Sequence, residues 1–180
     1  MLILEVDNGL CLRSMKPDDA AAMTDCINAN FDHLQKWIPW INPLSHDGMI
    51  LDFIHEQIMA QEVQEGLMLG LFLEEEPIGM AGLQHWDHSL AMAELGFWLS
   101  KHHLQKGLMA KAISKLMHFG FADMQLQRIM ATFPITNIRA QRLLERLGFK
   151  VEGVLRHEML HQGVRTHKVV MGMLSGEWVR

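Results

Sequence analysis

The sequence predicts an α+β fold, a single domain in which a central mixed, mostly antiparallel sheet is flanked by helices. Two observations predict it. Segments with the periodicity of amphipathic helices are interleaved with short apolar or alternating segments typical of strands. Their order is a strand, helices, three strands, a helix, a strand, a helix and two strands, which is typical of a domain with a mixed sheet. The 180 residues contain no linker or repeat and fit one domain over residues 1–180.

The first part of the chain is predicted to hold one strand and three helical segments. Residues 9–13 alternate as a short strand, and a proline and two acidic residues then begin a helix that runs to about Asn30. A short helix follows and stops at Pro39. Apolar residues at helical spacing predict a third helix over about 47–65, closed by Gly66.

The rest of the chain is predicted to begin with an antiparallel meander of three strands joined by short turns. A helix, a strand, a second helix and a final pair of strands follow it. The predicted bounds are strands at 67–73, 78–86 and 92–99, a helix at 108–123, a strand at 128–133, a helix at 138–146, and strands at 149–160 and 164–174.

Composition excludes several classes of function. Hydrophobic residues make up 49% of the chain, but no apolar run is long enough to span a bilayer, so we expect no membrane partner. The formal charge of −5 and the lack of basic clusters interleaved with aromatics argue against nucleic-acid binding. The first seven residues lack the basic start and long apolar core of a secretory signal, so the expected location is cytoplasmic.

Cysteine and histidine positions do not predict a metal site. The two cysteines are too few for a disulfide framework or a metal cluster, and we expect them to be reduced. The 11 histidines include the pairs His85/His88 and His102/His103, but neither pair has helical metal-ligand spacing or an evident third ligand. We therefore expect no metal.

A strand, a glycine turn and a helix start follow one another at residues 94–113. A helix start presents backbone N–H groups without intrahelical partners and the positive end of the helix dipole, so a pyrophosphate can dock there. Gly107 would let the backbone approach such a ligand closely. The candidate ligand contacts in this run are Phe97, Trp98, Leu99, Gln105, Lys106, Gly107, Leu108, Met109 and Ala110.

This run resembles motif A of the GNAT N-acetyltransferase superfamily, written Q/R-x-x-G-x-G/A, which cradles the pyrophosphate of acetyl-coenzyme A. Leu104 stands at the first position of the motif and Met109 at its second small residue, so the backbone cradle is retained with altered side chains. Further similarity covers nearly the whole chain and resembles the RimJ/RimL branch, the ribosomal-protein N-terminal acetyltransferases. It is carried by residues 12–20, 37–40, 94–99, 137–149 and 152–153.

The resemblance implies a GNAT-like sheet and an enzyme that transfers acetyl directly from acetyl-CoA to a primary amine. The expected acceptor is the α-amine of a ribosomal protein or a peptide. The alternatives are a small amine, such as a polyamine, an amino acid or an antibiotic, and a CoA-binding protein with little catalysis. Asn137 is implied as a coenzyme contact, although its position at a helix start is equally natural for an N-cap. The oligomeric state is left open, with a homodimer as one option.

Two carboxylates are candidates for the base that deprotonates the acceptor. Strand alternation puts Glu94 on one face with Gly96 and Trp98, and the resembled family often has its base on this strand. A structural ion pair is the equally weighted alternative. Glu158 ranks lower because it lies one residue from the place where some members of the branch carry a glutamate base, and one residue changes the strand face.

The acid and the acceptor pocket are less defined. The chain contains no tyrosine, which excludes the tyrosine acid of many GNAT enzymes, and Ala140 stands where some relatives carry a serine. The alternatives are that water protonates the thiolate, that another group does so, or that the thiolate leaves without a proton donor. Trp37 and Trp40 lie where the resembled family forms one wall of the acceptor cleft, and His157 is a further candidate contact. Simple packing is the alternative for each.

Overall fold

The computed structural model describes residues 1–38, 46–161 and 163–179. Its centre is one sheet flanked by helices. The strands are β1 (Ile3–Asp7), β2 (Leu10–Arg13), β3 (Leu67–Leu73), β4 (Glu76–Asp87), β5 (Met92–Leu99), β6 (Arg128–Pro134), β7 (Lys150–His161) and β8 (Val164–Leu174). The helices are α1 (Ala20–Ala29), α2 (Phe31–Leu34), α3 (Asp47–Glu62), α4 (Leu108–Ala122) and α5 (Ile138–Leu147).

The eight strands are ordered β1-β2-β3-β4-β5-β6-β8-β7. The predicted meander is confirmed, because β3, β4 and β5 pair in sequence and antiparallel. Only the β5–β6 pair is parallel among the strand pairs described. A parallel connection needs a crossover, and α4 supplies it. The mixed, mostly antiparallel α+β prediction is therefore confirmed.

Helices cover both faces of the sheet. On one face, α4 and α5 bury the larger core cluster, which includes Leu95, Ile113 and Leu144. On the other face, α1 and α3 bury a second cluster that includes Met80 and Trp98. A sheet buried on both sides explains why β3 reads as an almost continuous apolar run. Within the described residues, no helix is long and apolar enough to cross a bilayer.

Strand β1 was not predicted. It forms the edge of the sheet beside β2, with Leu4 opposite Leu12. Leu4 is buried, whereas its neighbour Ile3 is 47% exposed. Because apolar residues stand on both faces, the sequence lacks the alternation that identifies a half-buried strand.

The ends of two helices differ from the prediction. The first helix begins as a 3₁₀ turn at Pro17–Asp19 and becomes α-helical only at Ala20. Helix α3 ends at Glu62, so Gly66 is not its cap. Gly66 is instead buried beside β4, where an added Cβ would lie 3.4 Å from the Gln84 Cα. Its lack of a side chain therefore serves packing rather than helix termination.

Arg13 and Asp19 link the end of β2 to the start of α1. Two guanidinium N–H groups of Arg13 donate to the Asp19 carboxylate, each at 2.7 Å, and the Lys16 N–H donates to the same carboxylate at 2.7 Å. The guanidinium also lies 3.6 Å above the centre of the Phe72 ring. Burial opposes ionisation of Asp19, but the hydrogen bonds outweigh it and hold its pKa below the usual range.

We expect Asp19→Asn to lower the free energy of unfolding by about 1.5–3 kcal/mol at neutral pH, because it weakens charge-assisted hydrogen bonds to a mostly buried arginine. A lowered folded-state pKa stabilises the fold above the unfolded-state pKa, and this contribution is lost as the pH falls through the folded value. The difference between variant and wild type should therefore stay constant above about pH 5 and shrink as the pH falls below about 4. Urea unfolding measures it, with the exposed neighbour change Asp18→Asn as control. A pH-independent difference would contradict the assignment.

Candidate active site

Strands β5 and β6 separate part-way along their length. Their parallel register begins at Met92 opposite Arg128 and ends at Glu94 opposite Met130. Both strands continue beyond that point, and each stays paired on its outer side, β5 with β4 and β6 with β8. The strands therefore bound a cleft in the sheet. Backbone N–H and C=O groups along the cleft are suited to bind an extended ligand that carries amides.

Helix α4 begins at the open end of this cleft, because the carboxyl ends of parallel strands lie at the same edge of a sheet. Gly107, which precedes the helix, has a left-handed φ of +77°, and an added Cβ would meet no atom within 4 Å. The first turn, which the structure describes in full, carries no acidic residue. Its N–H groups and the positive end of the dipole thus fit a pyrophosphate.

The predicted coenzyme contacts divide into two groups. Trp98, Leu99 and Met109 are buried, so they can offer backbone groups to a ligand but not side chains. The Trp98 Nε1–H has no hydrogen-bond acceptor among the described residues, and its indole packs with the apolar residues beneath α1 and α3. The predicted contacts that are exposed or partly exposed are Phe97, Gln105, Lys106, Gly107, Leu108 and Ala110.

Asn137 begins α5 just after the end of β6. Its Oδ1 accepts a hydrogen bond from the Ala140 N–H at 3.2 Å, so the N-cap prediction is confirmed. Capping occupies one of the oxygen's lone pairs and leaves the side-chain NH₂ available. A coenzyme contact by Asn137 stays a prediction. Ala140, at the usual serine position, is buried.

Glu94 lies where the cleft begins, as the last residue of β5 that pairs with β6. Its Oε1 accepts a hydrogen bond from the Thr132 Oγ1–H on β6 at 2.5 Å. Its Oε2 lies 3.2 Å from Nδ1 of His85 on β4. The Glu94 side chain is 28% exposed and that of His85 is 79% exposed. The carboxylate is therefore held by a hydroxyl and an imidazole, and the imidazole is more exposed than the carboxylate.

Glu158 lies in a β-bulge, which the sequence did not indicate. Leu155 pairs with Lys168 and Met159 with Thr166, so residues 156–158 together oppose a single residue of β8. Glu158 is exposed. Alternation does not hold through a bulge, so the strand-face argument that ranked Glu158 below Glu94 does not apply.

His157 lies in the same bulge and has a left-handed φ of 56°. Its backbone N–H donates to Nδ1 of His167 at 3.2 Å, and the two imidazole rings stack with their centres 5.2 Å apart. The contacts of His157 that the structure shows are therefore with His167. Its predicted acceptor contact stays a prediction.

Helix α2 reaches the carboxyl end of β5 and the β7–β8 hairpin. His33 of α2 has a lowered pKa, caused first by burial and then by the charge of Arg139. A hydrogen bond with the Leu99 backbone, at the end of β5, acts in the opposite direction and raises this pKa. Three residues after α2, Trp37 stacks on His161 with the ring centres 5.2 Å apart. Trp37 therefore contacts the β7–β8 hairpin, and its predicted place in the wall of an acceptor cleft stays a prediction. Trp40 lies outside the described residues.

The histidines of the pair His85/His88, considered for metal binding, have other contacts. His85 faces Glu94, whereas His88 stacks on Trp86 at 4.4 Å between ring centres and its Nε2 lies 2.8 Å from the Gln64 carbonyl. No group of three or more His, Cys, Asp or Glu could hold a metal ion within the part of the chain described.

Both cysteines are free, Cys11 on β2 and Cys26 on α1. Burial raises the pKa of the Cys26 thiol to about 11, and burial is also the main cause of the raised pKa of Cys11. A high thiol pKa disfavours the nucleophilic thiolate. Neither residue therefore has the environment of a catalytic cysteine.

Sequence reasoning missed Thr132, and it considered His85 only as a metal ligand. Thr132 is the one hydroxyl residue in β6 and interrupts the otherwise apolar run 129–134, which was the available signal. Thr132 and Glu94 are 38 positions apart in the chain. Their contact therefore depends on the register between β5 and β6. Neither spacing nor alternation specifies that register.

Known proteins resemble the chain over nearly its whole length. Residues 9–150 match the acetyltransferase (GNAT) domain family. The protein named "Putative ribosomal N-acetyltransferase YdaF" of Bacillus subtilis is 27% identical over 99% of this chain and 98% of its own. The [ribosomal protein uS5]-alanine N-acetyltransferase of Escherichia coli is 29% identical over 94% and 89%. A solved structure of RimL, a ribosomal L7/L12 alpha-N-protein acetyltransferase in complex with coenzyme A, has a TM-score of 0.92 at 17% identity, covering 96% of this chain and 98% of that one.

We expect Gly107→Asp to weaken CoA binding by about 10- to 100-fold, because a carboxylate would face the phosphates at the start of α4. Isothermal titration calorimetry with CoA measures the dissociation constant. Gly163→Asp is the matched control, since Gly163 has nearly the same φ, +76°, and equally open surroundings. Unchanged CoA affinity in folded Gly107→Asp would contradict the phosphate site.

Lys106→Ala should weaken CoA binding less, by about 2- to 5-fold, because Lys106 is exposed and a flexible surface charge contributes little. The loss should disappear at high salt, where exposed charges are screened. Titrations at low and high ionic strength test this. A loss that persists undiminished in high salt would indicate a direct, desolvated contact instead.

Proposed function

Because the chain belongs to the GNAT acetyltransferase family, we propose that it transfers the acetyl group of acetyl-CoA to the N-terminal α-amine of a ribosomal protein. As a member of this family, the protein is an acyltransferase that uses acetyl-CoA. The proposed part is the acceptor, which relatives named for ribosomal-protein acetylation support. The single observation that carries the chemistry is the position of Glu94, at the point where β5 and β6 separate.

The backbone around the cleft fits the coenzyme. The N–H groups at the start of α4 bind the pyrophosphate, and the facing edges of β5 and β6 accept an extended, amide-containing arm. An arm that starts at α4 and follows the cleft inward ends where the two strands meet, beside Glu94. Acetyl-CoA supplies a thioester at the end of that arm. The carboxylate therefore lies where the acceptor must lose its proton.

The acceptor arrives as an ammonium ion and must become a neutral amine before it can attack a thioester. In this proposal Glu94 takes that proton. The Thr132 hydroxyl occupies Oε1, so Oε2 is the oxygen that exchanges protons. No Lys or Arg contacts the Glu94 carboxylate among the described hydrogen bonds and ion pairs, which leaves its charge available to attract a cation.

Amine basicity favours an α-amine over a side-chain or polyamine nitrogen. An α-ammonium has a pKa of about 7.7–8.0, whereas an alkylammonium such as that of lysine has one near 10.4. Neutralising the latter at neutral pH costs about 3.5 kcal/mol more. An α-amine is therefore the acceptor that a single carboxylate base neutralises at the smaller cost. The proposal places the enzyme in the cytoplasm with its acceptor, and it requires neither nucleic acid, nor a membrane, nor a second subunit.

The acceptor is tested by incubating the purified protein with acetyl-CoA and a panel of amines while following thiol release. The panel holds peptides with the N-termini of ribosomal proteins, the same peptides blocked at the α-amine, polyamines and amino acids. Acetylation of free but not blocked peptides, located by mass spectrometry, supports the proposal. Preferential turnover of polyamines would select the small-amine alternative, and CoA binding without turnover would select the binding protein.

We expect Glu94→Gln to preserve CoA affinity and fold while lowering kcat by about 10²- to 10⁴-fold, the usual contribution of a positioned base. The rising limb of the pH–rate profile should move toward the pKa of the free amine, because only acceptor that is already deprotonated would react. Glu158→Gln is the comparison. Full activity with an unmoved profile in Glu94→Gln would reject Glu94 as the base, and an equivalent loss in Glu158→Gln would assign the role to β7.

A further inference from the structure

We propose that His85 carries the acceptor's proton from Glu94 to solvent and that Thr132 is the positioning residue that holds Glu94 for this transfer. The inference rests on the proposed role of Glu94 as the base. It assigns functions to two residues on the strands that flank β5. Neither residue needs to touch the coenzyme.

The proton balance of the reaction requires an exit. An ammonium and a thioester give an amide, a thiol and one free proton. The new C–N bond forms as the C–S bond breaks, and the nitrogen loses two protons. One of them ends on the departing sulfur, and the other must leave the protein in every turnover. If Glu94 accepts the proton that must leave, it has to release this proton before the next acceptor binds.

His85 provides a direct path for this release. Its Nδ1 lies 3.2 Å from Oε2 of Glu94, and its side chain is 79% exposed. A proton received at Nδ1 leaves an imidazolium, which can lose the proton on its second nitrogen to water. Because the ring is exposed, exchange of protons with water then returns it to the starting tautomer before the next turnover. Glu94 itself is only 28% exposed.

His85 lines a surface groove of about 360 Å³. A water molecule occupies about 30 Å³, so the groove has room for several. Glu65 also lines this groove, but His85 is the lining residue that is bonded to Glu94. The other lining residues are Gln57, Ala60, Gly66, Gln84 and Trp86.

The backbone of β4 is distorted at the residue that makes this contact. Gln84 pairs with Glu94 and Asp87 with Met92, so β4 has one extra residue there. His85 has a left-handed φ of 51°, which is costly for a residue with a side chain. In a regular strand, residues 84 and 85 would point to opposite faces. The bulge instead brings the imidazole of His85 to the Glu94 carboxylate.

Thr132 fixes the other oxygen of Glu94. It lies two residues beyond Met130, the partner of Glu94, and residues two apart share a strand face. Its hydroxyl donates to Oε1 at 2.5 Å, and a β-branched side chain is restricted at χ1. With Oε1 held, Oε2 faces His85. The three side chains therefore form one hydrogen-bonded chain from β6 through β5 to β4.

His85→Ala tests the relay through chemical rescue. We expect kcat to fall by about 10- to 100-fold, the usual range for a residue that supports a catalytic group, with CoA affinity unchanged. Added imidazole should restore the rate in proportion to its concentration, because it can replace the missing proton carrier. His88→Ala is the matched control, an exposed histidine three residues further along the chain that stacks on Trp86 instead. Reactions without enzyme correct for direct acetylation of imidazole.

An unchanged kcat in His85→Ala, or a loss that imidazole does not restore, would overturn the relay. Glu94→Gln, measured beside it, keeps the two proposals separate. If Glu94→Gln is impaired and His85→Ala is not, the base stands and the relay fails. If Glu94→Gln is fully active, the role of Glu94 fails and the relay fails with it.

Thr132 is tested by a pair of variants. Thr132→Val removes the hydroxyl but keeps the shape, and we expect kcat to fall by about 10-fold with the KM for acetyl-CoA unchanged. Thr132→Ser keeps the hydroxyl and should restore most of the rate. Thermal unfolding of both variants identifies any loss of folded protein. Equal rates in the valine and serine variants, or a valine effect confined to KM, would overturn the positioning role.

Discussion

The short parallel pairing between β5 and β6 is the constraint on which the rest of the site depends. Three residue pairs join the strands, and the register ends at Glu94 and Met130. That end point sets where a ligand can enter the sheet and which carboxylate lies at the inner end of the cleft. Thr132 lies just beyond the last residue of β6 that pairs with β5, and its hydroxyl donates to the Glu94 carboxylate.

The cleft persists because both of its strands are fixed elsewhere. Strand β5 pairs with β4 down to Leu99, and β6 pairs with β8 as far as Pro134. Closing the cleft would gain backbone hydrogen bonds worth about 1 kcal/mol each. It would also shift core residues such as Leu95 and Phe133, which share the larger cluster with α4. Displacing packed side chains costs a comparable amount or more, so the sheet keeps an opening suited to a ligand.

The sequence predicted the parts of the site that are local in the chain. A strand, Gly107 and the start of α4 are consecutive, and the Asn137 cap acts on Ala140 three residues later. The contacts of Glu94 were not predictable, because they join three strands through register and through the bulge at His85. The bulge at residues 156–158 likewise removed the basis for placing Glu158. The alternation of side chains along a strand predicts their faces only where the strand pairing has no bulge.

The same hydrogen-bonded chain bears on the missing acid. The molecule has no tyrosine, Ala140 is buried and apolar, and the Thr132 hydroxyl already donates to Glu94. A thiol has an unperturbed pKa of about 8.5, so its thiolate is a good leaving group without a proton donor. An amine is expelled less readily once it has lost its proton. In the proposed mechanism the step that needs the protein is therefore deprotonation of the acceptor, which the contacts of Glu94 with Thr132 and His85 would support.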